Sequence, residues 1–161
     1  MGEMVRAGEV YENPVTGERC VIRIGTDTTR GERLVVDLHI RPGGAVMGEH
    51  FHPGIEERFT MLRGRVGFRI AGREATAEPG VEVVAPPGTP HDWWNAGSEE
   101  ALVRAEIRPA ARFEAMIRNA FGLAQDGKVN MRGMPNLLQL AVFVREAAPK
   151  THFSIGQNSP Q

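Results

Sequence analysis

Two histidines and an adjacent pair of glutamates, Glu56 and Glu57, lie close together in the segment GEHFHPGIEERFTMLRG, residues 48–64. His50 and His52 are two residues apart, so on an extended strand their side chains point to the same face, with Cα atoms about 6.5–7 Å apart. Two imidazoles placed in this way can bind one metal ion. The same segment is compatible with a histidine-rich surface hairpin that binds metal only weakly, and taken alone it leaves both interpretations open.

The residues after His52 predict which glutamate accompanies the histidines. Pro53 and Gly54 suit the centre of a type II turn, because proline presets φ and glycine accepts a positive φ. We therefore expect the chain to reverse here and the next strand to run beside the first.

Alternation along that next strand places Glu57 inward and Glu56 outward. Because side chains of a strand alternate between its faces, one face is polar and the other mostly apolar: Glu56, Arg58 and Thr60 against Glu57, Phe59 and Met61. The apolar face belongs in the core. A carboxylate carried inward among Phe and Met side chains is costly unless it is paired or bound to metal, which favours Glu57 as a ligand.

A second segment, GVEVVAPPGTPHDWWNAG at 80–97, supplies a third histidine, His91, after a turn rich in proline and glycine. Together the two segments resemble the paired motifs of the cupin superfamily, and of its small single-domain members in particular. The first motif is matched by Gly44, His50, His52, Glu57 and Gly64. The second is matched by Gly80, Pro86, Gly88, His91 and Asn95.

The resemblance implies an all-β fold, a double-stranded β-helix or jelly-roll barrel, with one divalent transition metal per chain held inside it. The implied ligands are His50, His52, Glu57 and His91. It also implies structural roles for Asn95 and for Gly88, which would permit the turn that presents His91. Many relatives form dimers, so we expect a homodimer.

Three imidazoles and one carboxylate form a borderline-soft ligand set that suits Fe, Mn, Ni, Cu or Zn. An octahedral ion so held keeps two positions open for substrate, water or dioxygen, whereas tetrahedral zinc would be saturated unless its coordination expanded. Because histidine binds metal only when neutral, we expect acid to release the ion.

Residues 9–108 show the pattern of strands that such a barrel requires. Short alternating segments are separated by turn sequences such as NPVTGE (13–18), RPGG (41–44) and PPGTP (86–90). Their spacing predicts about nine or ten strands in a sandwich or barrel. No helical pattern separates them, so parallel βαβ units are not expected.

The pattern becomes helical after Pro109. Apolar residues recur at helical spacing from Phe113 to Ala124, and a second, almost wholly apolar helix is predicted within 134–149. We expect a barrel domain at 1–109, a helical extension at 110–149 that packs on the barrel or on a partner subunit, and a tail at 150–161.

Composition narrows the classes of partner. The chain has 161 residues and a net charge of −1 at pH 7, so we expect no electrostatic affinity for nucleic acid or for a membrane surface. It contains one cysteine, Cys20, which we interpret as a buried structural thiol. The absence of an apolar run long enough for a membrane span or signal peptide predicts a cytoplasmic protein.

Apolar and aromatic residues are expected to share the barrel interior with the ligands: Phe59, Met61, Phe68 and Trp93. Such a lining suits a small aromatic or enol-type molecule, and ordinary core packing is the alternative. Trp94 is expected to point outward. His39 and His152 match no motif position, and we interpret His39 as an imidazole with local partners rather than a ligand.

Three functions are consistent with this site. The first is a metal-dependent oxidoreductase, in particular a dioxygenase, acting on a small aromatic or enol- or diketone-like molecule. The second is a sugar isomerase, epimerase or lyase, which needs a second inward acid or base and usually cationic groups; the sequence shows no inward lysine. The third is a non-catalytic metal or ligand binder. No catalytic residue is assigned.

Overall fold

A computed structural model describes residues 4–46 and 48–110, together with Phe113, Met116, Ile117 and Asn119. This part of the chain contains nine strands and one short helix: β1 (Val10–Asn13), β2 (Glu18–Ile24), α1 (Thr26–Thr29), β3 (Leu34–Ile40), β4 (Glu56–Arg63), β5 (Val66–Ile70), β6 (Arg73–Ala77), β7 (Glu82–Ala85), β8 (His91–Asn95) and β9 (Ala101–Arg108).

The strands form two antiparallel sheets. The larger sheet has the order β1-β2-β3-β9-β4-β7 and the smaller has the order β6-β5-β8. The inner faces of both sheets contribute to a single cluster of buried apolar side chains. The all-β jelly-roll barrel predicted from the sequence is therefore confirmed.

Alternation along the strands places the core. In β9, Ala101, Val103, Ala105 and Ile107 are buried, whereas the intervening side chains face solvent. In β4 the residues Glu57, Phe59 and Met61 are buried and their neighbours are not. The predicted inward direction of Glu57 is thus observed.

The turn after His52 forms as expected, but its two flanking segments are not neighbours in one sheet. The Ile55 amide donates to the His52 carbonyl at 3.3 Å, and Gly54 has φ +73°. The segment before the turn bridges to β8, with His50 opposite His91, whereas β4 pairs with β9 and β7. The expectation of side-by-side strands was wrong because a turn sequence fixes a local reversal and not the choice of pairing partner.

The hydrophobic core continues beyond the last strand. Phe113 and Ile117 are buried in the core cluster, and Met116 packs against it. These residues have helical backbone conformation. The remainder of the predicted extension, the second helix and the tail at 150–161 lie outside the described residues.

Several further side chains take their expected positions. Cys20 is fully buried, and burial raises the pKa of its thiol, as expected for an unreactive structural residue. Trp94 lies on the outer face of its sheet, where the Arg69 guanidinium stands 5.7 Å from its ring centre. His39 pairs with Glu100 at 3.1 Å, and His152 lies outside the described residues. No helix in the described part of the chain is long and apolar enough to cross a membrane.

Candidate metal centre

Three parts of the fold bring the four implied ligands together. His50 and His52 lie on the segment before β4, Glu57 is the second residue of β4, and His91 is the first residue of β8. One candidate ligand atom from each residue lies within 4.8 Å of the others. The side chains of His52, Glu57 and His91 are buried, and that of His50 is half-buried.

Backbone contacts fix the orientation of two imidazoles. Nδ1 of His50 donates to the Gly48 carbonyl at 2.7 Å, and Nδ1 of His91 donates to the Thr89 carbonyl at 2.8 Å. A carbonyl oxygen only accepts, so Nδ1 of each ring carries a proton, and in the neutral form of each ring Nε2 presents its lone pair to a cation. Metal-binding histidines commonly have this arrangement.

The loop that presents His91 also holds His52. Gly88 has φ +71°, which glycine adopts without strain. Its amide donates to the His52 carbonyl at 3.0 Å. Asn95 links β8 to its surroundings, because its side-chain amide donates to the carbonyls of Ile40 and Glu99. Both residues therefore have the structural contacts that the resemblance implies.

One buried nitrogen of the cluster has no hydrogen-bond partner. Nε2 of His52 is inaccessible to solvent and makes no hydrogen bond. It lies 3.8 Å from Oε2 of Glu57, which contacts Nε2 of His91 at 2.5 Å. A buried, unsatisfied polar atom is unfavourable. A cation among these atoms would satisfy the nitrogen and the carboxylate together, so the donor set fits a divalent transition metal.

The electrostatics of the cluster favour the protonation states that metal binding requires at His50, His52 and Glu57, and oppose them at His91. Burial lowers the pKa of His50, and it lowers that of His52 to about 4. Burial acts to raise the pKa of Glu57, but the hydrogen bond from His91 and the nearby imidazoles hold it below its usual value. Burial opposes protonation of His91, yet its bond to Glu57 raises its pKa.

Aromatic rings surround the imidazoles. The Trp93 ring is nearly parallel to that of His91, at 6.2 Å between centres, and meets the His50 ring edge-on at 5.7 Å. Phe113 meets the His52 ring edge-on at 5.1 Å. The contact of Phe113 was not predicted: its helical spacing indicated an apolar face but not the surface on which that face packs.

The four residues predicted to line the interior are all buried. Phe59 contacts Phe68 and Trp93, with ring centres 5.3 and 5.0 Å apart, and lies 6.3 Å from the ring of His91. Met61 is buried on the same face of β4. Their positions agree both with a substrate lining and with ordinary core packing, so their role as a substrate lining stays a prediction.

Glu18 carries a further buried carboxyl that the sequence motifs did not indicate. It accepts hydrogen bonds from the Thr16 hydroxyl at 3.0 Å and the Trp93 indole at 3.1 Å. Burial raises its pKa to about 7, against the effect of these two hydrogen bonds. The alternation of β2 contained the signal, because Glu18 shares a face with the apolar Cys20 and Ile22.

The described arginines lie outside the barrel core. Each of them is exposed or half-buried. Arg104 and Glu106 lie on the outer face of β9, and Arg104 pairs there with Asp37 at 2.8 Å. Within residues 4–46 and 48–110, no basic side chain is buried beside the cluster.

The fold is thus a barrel of two antiparallel sheets that encloses three histidines and a glutamate, the features of a metal-binding β-barrel protein. The profile of the Cupin_2 family, described as a cupin domain, matches residues 36–105. The chain therefore contains a cupin domain. No curated protein matches it in sequence.

Solved cupin structures share this fold. A predicted oxalate decarboxylase from Thermotoga maritima has a TM-score of 0.57 and 21% identity, covering 65% of this chain and 93% of its own. KdgF from Halomonas sp. has a TM-score of 0.53 and 20% identity, and the match covers 62% of this chain and 86% of KdgF. A sugar phosphate isomerase from Silicibacter pomeroyi has a TM-score of 0.53 and 20% identity, and the match covers 66% of this chain and 70% of the isomerase. The TM-scores establish a common fold, and at such low identities the reactions of these proteins do not carry over to this chain.

Proposed function

We propose that the chain binds one divalent transition metal and is a metal-dependent oxidoreductase of dioxygenase type. The observation that carries the proposal is the buried cluster of His50, His52, Glu57 and His91, with its unsatisfied His52 nitrogen. The bound metal would supply open coordination positions for a small molecule and dioxygen.

The protein residues prepare this site in three ways. Carbonyl contacts orient the rings of His50 and His91. The low pKa of Glu57 provides an anionic ligand. The rings of Trp93 and Phe113 pack on the histidines and limit the access of water.

The surroundings favour an uncharged aromatic, enol- or diketone-like substrate. Phe59 and Trp93 supply apolar surface beside the histidines, and such surface complements a small apolar molecule. The described arginines all lie away from the core. A phosphate or carboxylate would therefore meet no buried cation among the described residues, which makes a phosphosugar the poorer fit.

Metal analysis and oxygen uptake test this proposal in sequence. Protein from unsupplemented cells should contain close to one metal per chain, and Fe-, Mn- or Ni-loaded protein should consume oxygen with a panel of aromatic diols and β-diketones. Failure to bind a stoichiometric metal would overturn the whole proposal. Stoichiometric binding without turnover would leave a non-catalytic binder.

A sugar isomerase, epimerase or lyase is the second candidate, and Glu18 is the observation that favours it. This chemistry needs an inward acid or base besides the metal ligands, and Glu18 is a buried carboxyl whose pKa burial raises to about 7. Turnover of a phosphosugar or uronate without oxygen would establish this candidate and replace the first.

We also propose that the chain is a homodimer and that residues 110–149 pack on the barrel or on the partner subunit. The burial of Phe113 and Ile117 supports packing of this segment on the barrel. Sedimentation equilibrium of the full chain would test the dimer, and a single species with the monomer mass across the concentration range would overturn it.

A further inference from the structure

Glu18 lies on β2, a strand that carries none of the four candidate metal ligands. It is the first residue of β2 and lies opposite Asn13 of β1 and Ile40 of β3. Only 7% of its surface is exposed. An acidic side chain is rarely buried to this extent unless it has partners.

The two hydrogen-bond partners of Glu18 are neutral. The Thr16 hydroxyl donates to Oε2 and the Trp93 indole donates to Oε1. In contrast, the buried carboxylate of Asp37 has cationic partners, Arg23 and Arg104. The Glu18 carboxyl is therefore held by hydrogen bonds rather than by an ion pair.

The Trp93 indole connects Glu18 to the cluster of candidate metal ligands. Trp93 has a single N–H donor, and that donor is directed to Glu18. The same ring lies almost parallel to His91, with an interplanar angle of 13°, and edge-on to His50 at 70°. The hydrogen bond restricts the rotation of the ring and so determines which surface the indole presents to the two imidazoles.

We propose that Glu18 is a positioning residue: through its hydrogen bond it fixes the Trp93 indole as a wall of the metal site, against His50 and His91. The role in metal binding rests on the proposed function, whereas the effect on the indole can be measured in metal-free protein. Groups that hydrogen-bond to metal ligands typically change metal affinity about 10–100-fold when removed, and Glu18, which acts through the indole, is expected at the lower end of this range.

The test uses Trp94→Phe as a background, because the chain has two tryptophans and Trp93 then provides the whole tryptophan signal. Glu18→Met removes the acceptor with little change of volume, and Glu18→Gln is the matched control that keeps an acceptor oxygen. The readouts are the near-UV circular dichroism of metal-free protein, the dissociation constant for Co²⁺, and the visible absorption spectrum of bound Co²⁺.

We expect Glu18→Met to lose most of the Trp93 dichroism, to alter the Co²⁺ spectrum and to weaken Co²⁺ binding about tenfold, whereas Glu18→Gln stays close to the background. Equal spectra and affinities for the two variants would overturn the proposal. If Glu18→Met does not fold, Trp93→Phe removes the donor instead; it should shift the Co²⁺ spectrum, and an unchanged spectrum would overturn the proposal.

The two proposals fail in different ways. If the background protein binds no Co²⁺, the proposed function is wrong and so is the role of Glu18 in metal binding. The dichroism of the metal-free variants would then still decide whether Glu18 orients the indole.

Discussion

Adjacent glutamates at the start of β4 have different surroundings. Glu57 is buried and contacts His91, whereas Glu56 lies on the outer face and pairs with Arg58 at 2.6 Å. The two positions have the same side chain and differ mainly in the face of the strand that they occupy. They provide a matched pair for testing the ligand set.

Glu57→Gln should weaken metal binding at least about tenfold, because it replaces an anionic ligand with a neutral amide. Glu56→Gln should leave the affinity unchanged, since it alters only an exposed ion pair. Isothermal titration with Zn²⁺ or Co²⁺ measures both. Equal losses from the two changes would show that Glu57 is not a ligand.

Glu18 should make folding stability depend on pH. Burial raises its pKa from 4.5 to about 7, so between these values the folded protein retains a proton that the unfolded chain releases. The contribution of Glu18 to the free energy of unfolding is therefore greatest below pH 4.5 and falls as pH rises through about 7. Glu18→Gln removes this dependence.

We compare the free energy of unfolding of Glu18→Gln with that of the wild type at each pH. The difference should shift in favour of the variant by about 3 kcal/mol as the pH rises from acidic values to about 8. Urea unfolding of metal-free protein at several pH values measures this shift. Glu82→Gln, at an exposed position of β7, is the control and should show no comparable trend. If the difference in the free energy of unfolding between Glu18→Gln and the wild type were the same at every pH, the raised pKa of Glu18 would be contradicted.

At the scale of elements, strand alternation was predictable and strand partners were not. The alternation of β4 correctly placed Glu57, Phe59 and Met61 inward. The segment with His50 was wrongly expected to lie beside β4, because its bridge to β8 joins residues 41 positions apart, His50 and His91. Local pattern determines which face a side chain occupies, whereas the choice of partner depends on the closure of the whole barrel.

The grouping of the four candidate ligands was predictable for a different reason. Its four residues fill motif positions, so the resemblance carried information that the local pattern lacks. Glu18 and Phe113 fill no such position. Their approach to the histidines results from the packing of β2 and of the residues after β9, which a single sequence does not specify.

Phe113 should contribute to stability as strongly as a buried side chain of the barrel does. Phe113 is 7% exposed and packs on His52, whereas Phe51, beside the same histidine in sequence, is 56% exposed. Phe113→Ala should lower the free energy of unfolding by about 3 kcal/mol, and Phe51→Ala by no more than about 0.5 kcal/mol. Chemical denaturation measures both. Similar small losses would show that this segment is dispensable for the barrel.

At the scale of the whole molecule, the ligand cluster spans the two sheets. Glu57 belongs to the six-stranded sheet and His91 to the three-stranded sheet, while His50 and His52 lie on the segment between β3 and β4, which bridges to β8. A bound cation would link both sheets and the segment between β3 and β4. A ligand that binds only the folded state stabilises it by mass action, so metal binding and global stability are coupled.

Metal should therefore raise the melting temperature through this cluster. At a free concentration of about 100 times the dissociation constant, the gain is about 2.7 kcal/mol, or roughly 5–10 °C for a chain of this size. His50→Ala should abolish most of the shift while the metal-free barrel still unfolds cooperatively, because the imidazole contacts only Gly48 by hydrogen bond and the apolar core is unchanged. His39→Ala is the matched control, since His39 pairs with Glu100 outside the barrel, and it should retain the full shift. Scanning calorimetry with and without Zn²⁺ distinguishes these cases: an equal shift in both variants would place the metal elsewhere on the protein.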